Sequence, residues 1–137
     1  RRLIDDDPKV HGPAAAAWCH YETQCSTLRH KPTGPAVGSG LSALALARLE
    51  AHYFVNRVFL EEGEILANLD KIANIPTTII QGRYDMICPM ISANDLVSAF
   101  PDAVLHVVDA AGHSAMEPGI RRALVEAANV FRDKGQF

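Results

Sequence analysis

The sequence has no run of lysines and arginines, no long apolar stretch and no paired cysteine pattern. Each absence removes a class of protein. Thirteen basic residues face sixteen acidic ones, for a net charge of −3. Without a basic stripe there is no footprint for a phosphate backbone, so no nucleic-acid partner is expected. No segment approaches the roughly 20 consecutive apolar residues of a membrane span, so no membrane partner is expected either. No secretory leader is visible, although the chain opens on Arg1 rather than Met, so that absence carries little weight. The three cysteines are Cys19, Cys25 and Cys88. An odd number without C-x-x-C spacing does not describe a disulfide framework, which favours a reducing, cytoplasmic compartment. Cys19, His20, Cys25 and His30 are metal-ligand types, but their spacing fits no zinc pattern, so no metal site is expected.

What remains is 137 residues, 48% hydrophobic and 21% charged, the composition of a globular chain of single-domain length. Residues 1–12 are polar. They read as a loop entering a helix, with Asp7 suited to the N-cap and Pro8 to the first helical position. Good helix formers follow Pro13. The stretch "RHKPTGPAVGSG" reads as a loop, and Ser42 to Asn56 favour helix again. A shorter helix, "EILANLDKI", ends near Ile72. The pattern then changes. Thr77 to Ile80, "TTII", is β-branched throughout and reads as a buried strand. "ISANDLVSAF" is helical and stops before Pro101, "AVLHVV" (Ala103 to Val108) is a second strand, and "IRRALVEAANVFRDKG" is an amphipathic closing helix.

A strand, a helix and a second strand make a right-handed crossover with the strands parallel. Both following loops then emerge at one edge of the sheet, the edge where α/β proteins place their sites. Asp85 lies just beyond the first strand and His113 just beyond the second, so the two side chains can meet. A carboxylate that accepts from one imidazole nitrogen leaves the other free to take a proton from a hydroxyl nucleophile. The bland readings are that Asp85 is a turn residue bonding its own backbone and that His113 is a loop residue. Their shared placement favours the catalytic pair. Gly82 and Gly112 would let the backbone bend sharply beside each one. Two parallel strands cannot bury a sheet face alone, and residues 1–74 are mostly helical. The fold class is therefore α/β, with the chain expected to be the C-terminal portion of a larger α/β protein.

"GRYDMICP" followed by "GHSAMEPG" resembles the end of a proline iminopeptidase, a serine peptidase of the α/β-hydrolase fold. The resemblance continues through "AAWCHYE", "ALARLEAHYFVN" and "NIPTTIIQGRYD", and covers about residues 5 to 134. It implies that Asp85 is the triad acid and His113 the base. It implies that residues 1–74 are mostly a helical cap over the active site, and that 75–137 are the end of the hydrolase core. It implies an N-terminal proline substrate whose free amino end is bound by Glu22 and Glu50, with no metal or organic cofactor. Glu50 has some independent support. Leu46, Tyr53 and Phe54 share its helix face, where a carboxylate needs a partner; a rim position or an ion pair with Arg57 is the structural alternative. Glu22 alone reads as a solvated helix-end residue. Trp18 reads as core, His52 and Tyr53 as pocket or packing residues, Arg83 and Tyr84 as shaping the acid loop, and Glu117 as bland beside Pro118 at a helix start.

Two departures stand out. The G-x-S-x-G nucleophile elbow is absent, and Ala51 stands where the family usually has Asn. A missing N-terminal half is expected to carry the serine, and the chain alone is expected to be inactive. The alternatives are another α/β-hydrolase, such as an epoxide hydrolase or esterase, and a non-catalytic truncated relative.

Overall fold

The computed structural model describes residues 1–29 and 41–137. The expected Pro- and Gly-rich loop and His30 lie outside the described residues, apart from Arg29. The chain forms two compact units. One comprises 1–24 and 30–62, the other 25–29 and 63–137. The division falls at Gly63, ahead of the point where the sequence pattern turns from helical to β.

The first unit holds helix α1, Pro8–Ser26, up to Gln24, and helix α2, Leu41–Val55. Asp7 caps α1 as expected: its Oδ1 accepts from the Lys9 N–H at 2.8 Å. Pro13 lies inside the same helix. It has no N–H to donate to the Lys9 carbonyl four residues back, so one helical hydrogen bond is missing there. Ala15 and Cys19 are buried on α1, and Ala43 and Ala47 on α2. The spacing of four puts each pair on one face. The side chains are small enough for the Cys19 thiol to reach the Ala43 carbonyl at 3.7 Å. Arg48 ties the N-terminal turn to α2 by donating from Nε to the Leu3 carbonyl at 2.6 Å. After α2 the backbone makes a left-handed turn, with φ of 53°, 57° and 58° at Arg57, Val58 and Phe59. This conformation costs a non-glycine residue about 1–2 kcal/mol. Packing of the Phe59 ring 5.4 Å from both His52 and Tyr53 helps offset the cost.

The second unit is built around strands β1, Thr78–Gly82, and β2, Val104–Val108. They pair in parallel with Thr78 opposite Val104 and Gly82 opposite Val108. Helix α4, Met90–Ala99, makes the crossover and ends before Pro101. Helix α5, Pro118–Lys134, has proline at its start and Gly135 at φ 69° as its left-handed stop. The β-α-β-α order and the parallel pairing are those expected from the sequence. Two details differ. β1 runs on to Gly82, because Gln81 and Gly82 pair with Val107 and Val108. The strand is also only half-buried over Thr78–Ile80, since one neighbouring strand covers less than a full sheet would. The short helix read through Ile72 divides into α3, Glu64–Ala67, and a 3₁₀ turn, Leu69–Ile72. The Asn68 side chain donates to the Glu64 carbonyl at 2.7 Å and competes with the helical bond there. Phe100, only 2% exposed, anchors the core with Leu69, Ala93, Ala111, Ile120 and Ala123. Among the described residues no helix is long and apolar enough to cross a membrane.

Candidate active site

The loops after β1 and β2 are stitched together by main-chain bonds. The Arg83 N–H donates to the Val108 carbonyl and the Tyr84 N–H to the Ala111 carbonyl, each at 3.0 Å. Arg83 and Tyr84 thus shape the acid loop, as expected, but through their backbones. The exposed Arg83–Asp109 ion pair at 2.7 Å adds little. The role of Gly82 differs from the expected one. Neither Gly82 nor Gly112 has positive φ. What requires glycine at 82 is close approach: a Cβ there would overlap the Gly112 carbonyl oxygen and lie 2.8 Å from that of Ala111. The absence of a side chain lets the two loops touch.

This contact brings Asp85 and His113 together. His113 Nδ1 lies 3.0 Å from Asp85 Oδ2. The other carboxylate oxygen, Oδ1, accepts from the Ile87 N–H at 2.9 Å and the Cys88 N–H at 2.7 Å. An ionised carboxylate only accepts, so Nδ1 is the donor, and the neutral ring carries its lone pair on Nε2. The Asp85 side chain is 6% exposed and that of His113 40%. The acid is therefore held rigidly inside while the imidazole remains reachable.

Three supporting contacts left no trace that sequence reading picked up. Gln81 is buried, and its amide donates to the Cys88 carbonyl at 2.8 Å, with Asp85 Oδ2 a longer neighbour at 3.4 Å. Glu117 Oε1 accepts from the Gly112 N–H at 2.6 Å and the Leu28 N–H at 3.4 Å. The Ser26 carbonyl accepts from the N–H groups of His113 and Ser114 at 2.9 and 2.8 Å. The histidine loop is thus fixed from below by a segment almost ninety residues earlier in the chain. Reading Glu117 as bland was incorrect, because its partners are main-chain groups without side-chain signatures. Its place just before Pro118 was the available hint.

In the first unit, Glu22 and Glu50 lie near one thiol. Burial pushes the Cys19 thiol above its ordinary range, and the carboxylates of Glu22 and Glu50 raise it further. Half-buried Glu50 accepts from Trp18 Nε1 at 2.7 Å, and the indole stacks on Phe54 with ring centres 6.1 Å apart. Among the described residues no ion pair joins Glu50 to Arg57. The partner is instead a neutral donor, which leaves the carboxylate's charge uncompensated by it. Trp18, read as core, is half-buried and holds Glu50. Burial and then Asp85 push the Cys88 thiol upward as well.

A parallel strand pair with an acid and a histidine at its C-terminal edge is the end of an α/β-hydrolase core. In agreement, the family model described as TAP-like protein, of the α/β-hydrolase group, matches residues 61–136, and the chain belongs to that family. The resemblance to proline iminopeptidases also holds. The chain is 46% identical over 133 residues to a probable proline iminopeptidase of Leptolyngbya boryana, covering 96% of this chain and 41% of the relative. It is 46% identical over 129 residues to a proline iminopeptidase of Arabidopsis thaliana, covering 93% and 34%. For a proline iminopeptidase of Xanthomonas citri the identity is 45% over 134 residues, covering 96% and 42%. The chain therefore spans about two-fifths or less of the length of these curated relatives.

Proposed function

We propose that this chain is the C-terminal part of a prolyl aminopeptidase, supplying the acid and base of its serine triad and the carboxylates that select a free imino end. Residues 1–74 would be the larger part of the helical cap and 75–137 the end of the catalytic core. The observation that carries the reading is the Asp85–His113 bond at 3.0 Å, with the acid's second oxygen held by two N–H groups. Asp85 fixes the ring so that Nε2 is basic. His113 then takes the proton of a serine hydroxyl as that oxygen attacks the carbonyl of an N-terminal proline, and returns the proton to the leaving amine. Asp85 stabilises the imidazolium formed between those steps.

The serine lies in the N-terminal half implied by the relatives, since these residues contain no G-x-S-x-G. Glu22 and Glu50 bind the protonated imino group of the substrate. The clustering of both about Cys19 supports this role, as does the absence, among the described residues, of an ion pair to Glu50. An epoxide or ester substrate has no use for two such carboxylates. The three free thiols fit the cytoplasm.

The test is a chimera in which residues 1–137 replace the matching segment of the Leptolyngbya boryana relative. It should hydrolyse proline p-nitroanilide, and His113→Ala should abolish that turnover. The 137 residues alone should not turn over. A folded chimera that hydrolyses an uncharged ester but not the proline anilide would refute the substrate assignment.

A further inference from the structure

We propose that Asp85, Cys88 and His113 together form a binding site for a thiophilic divalent cation of the zinc type, so that the dyad has a second, metal-closed state. A carboxylate oxygen of Asp85, the Cys88 sulfur and a ring nitrogen of His113 all lie within 4.8 Å of one another. Zinc takes oxygen, nitrogen and sulfur ligands at about 2.0–2.3 Å, and three protein ligands with one open position is a common arrangement. Tetrahedral ligands at those lengths sit roughly 3.3–3.8 Å apart. The required movement is small. Cys88 and His113 are exposed and can rotate inward, while Asp85 is already fixed by the Ile87 and Cys88 N–H groups. Those bonds occupy Oδ1 and leave Oδ2 directed at His113 Nδ1, so a cation would take the place of the shared proton.

The charges balance. One carboxylate, one thiolate and one neutral imidazole neutralise a divalent ion. The thiol gives its proton to solvent, and the ring proton moves from Nδ1 to Nε2, which frees the Nδ1 lone pair for the metal. The soft thiolate selects zinc or cadmium over magnesium or calcium. With Nε2 protonated, His113 can no longer accept a proton from a hydroxyl. That consequence rests on the aminopeptidase reading; the site itself does not.

The experiment titrates the reduced, chelator-stripped 137-residue chain with Cd²⁺, following thiolate-to-metal ultraviolet absorption and bound metal by equilibrium dialysis. The expected result is one Cd²⁺ per chain, uncompeted by excess Mg²⁺. Affinity should fall at least about ten-fold in Cys88→Ser and in His113→Ala, each checked for folding by circular dichroism, and stay unchanged in Cys25→Ser. His113 is exposed, so its variant remains informative if Cys88→Ser fails to fold. The proposal is overturned if Cd²⁺ is not retained by the parent, or if either folded variant, Cys88→Ser or His113→Ala, binds it as tightly as the parent. Because no substrate is involved, this outcome is independent of whether the chimera cleaves proline anilides.

Discussion

Replacing Asp85 by Asn alters the charge while keeping the shape, and its effect follows from three groups that bond it: the Ile87 and Cys88 N–H groups and the His113 ring. The Asn oxygen still accepts from the N–H groups of Ile87 and Cys88, at 2.9 and 2.7 Å in the parent. A bond to an ionised acceptor contributes about 1.5–3 kcal/mol and a neutral one about 0.5–1.5 kcal/mol. Two such bonds therefore lose roughly 2 kcal/mol together. The third partner, His113, is 40% exposed, so solvent screens its contribution. With a denaturant slope of about 2 kcal/mol per molar, the urea midpoint should fall by about 1 M.

The more telling effect is on the imidazole. The Asn amide nitrogen would occupy the place of Oδ2 and face Nδ1, donor against donor. The ring relieves this by moving its proton to Nε2, which removes its capacity as a base. ¹⁵N-resolved NMR of the histidine ring in the 137-residue chain reads the tautomer directly. The parent should show Nδ1–H and the variant Nε2–H. In the chimera, the same change should cost on the order of 10⁴ in kcat, the size seen when another serine triad loses its acid's charge. If the variant keeps Nδ1–H and the midpoint does not move, Asp85 does not fix the ring and the dyad argument fails.

Two further outcomes follow from the first unit. Trp18→Phe and Glu50→Gln should each destabilise the chain, and a double-mutant cycle in urea should give a coupling of about 1–2 kcal/mol, as a charge-assisted bond at 2.7 Å requires; a coupling near zero would mean that the indole does not hold the carboxylate. The raised Cys19 thiol fixes the sign of an alkaline effect. The folded state favours the protonated thiol, so its stabilisation is complete below the ordinary value of 9.0 and is lost as pH rises through the higher folded value. Urea midpoints measured on either side of that range should therefore fall with pH, and fall less in Cys19→Ser; an equal slope in the variant would remove Cys19 as the cause.

The β-α-β-α order was legible because each element carries its own short-range signal. β-branched runs mark the strands, Pro101 marks the end of α4, and a 3.6-residue stripe marks α5. From that order, topology puts Asp85 and His113 at one edge of the sheet, where the two side chains can meet. The bracing of the site was not legible. Glu117 grips two backbone N–H groups, one of them at Leu28, and the Ser26 carbonyl carries two more. Such bonds join distant segments through atoms that every residue has, so they leave no periodicity or motif. Trp18 and Glu50 stand 32 positions apart on different helices and escaped for the same reason. Arg57 is nearer to Glu50 in sequence than Trp18, but it sits in a left-handed turn instead of continuing the helix that carries Glu50.

The fastening of the acid loop to the histidine loop has an evolutionary implication. The pins at Arg83 and Tyr84 are amide hydrogens, and their sockets at Val108 and Ala111 are carbonyls. Almost any amino acid can provide these groups, so exposed side chains along this rim are free to drift and to be reshaped for new substrates. What cannot drift is the missing methyl at position 82, where even an alanine would wedge the two loops apart.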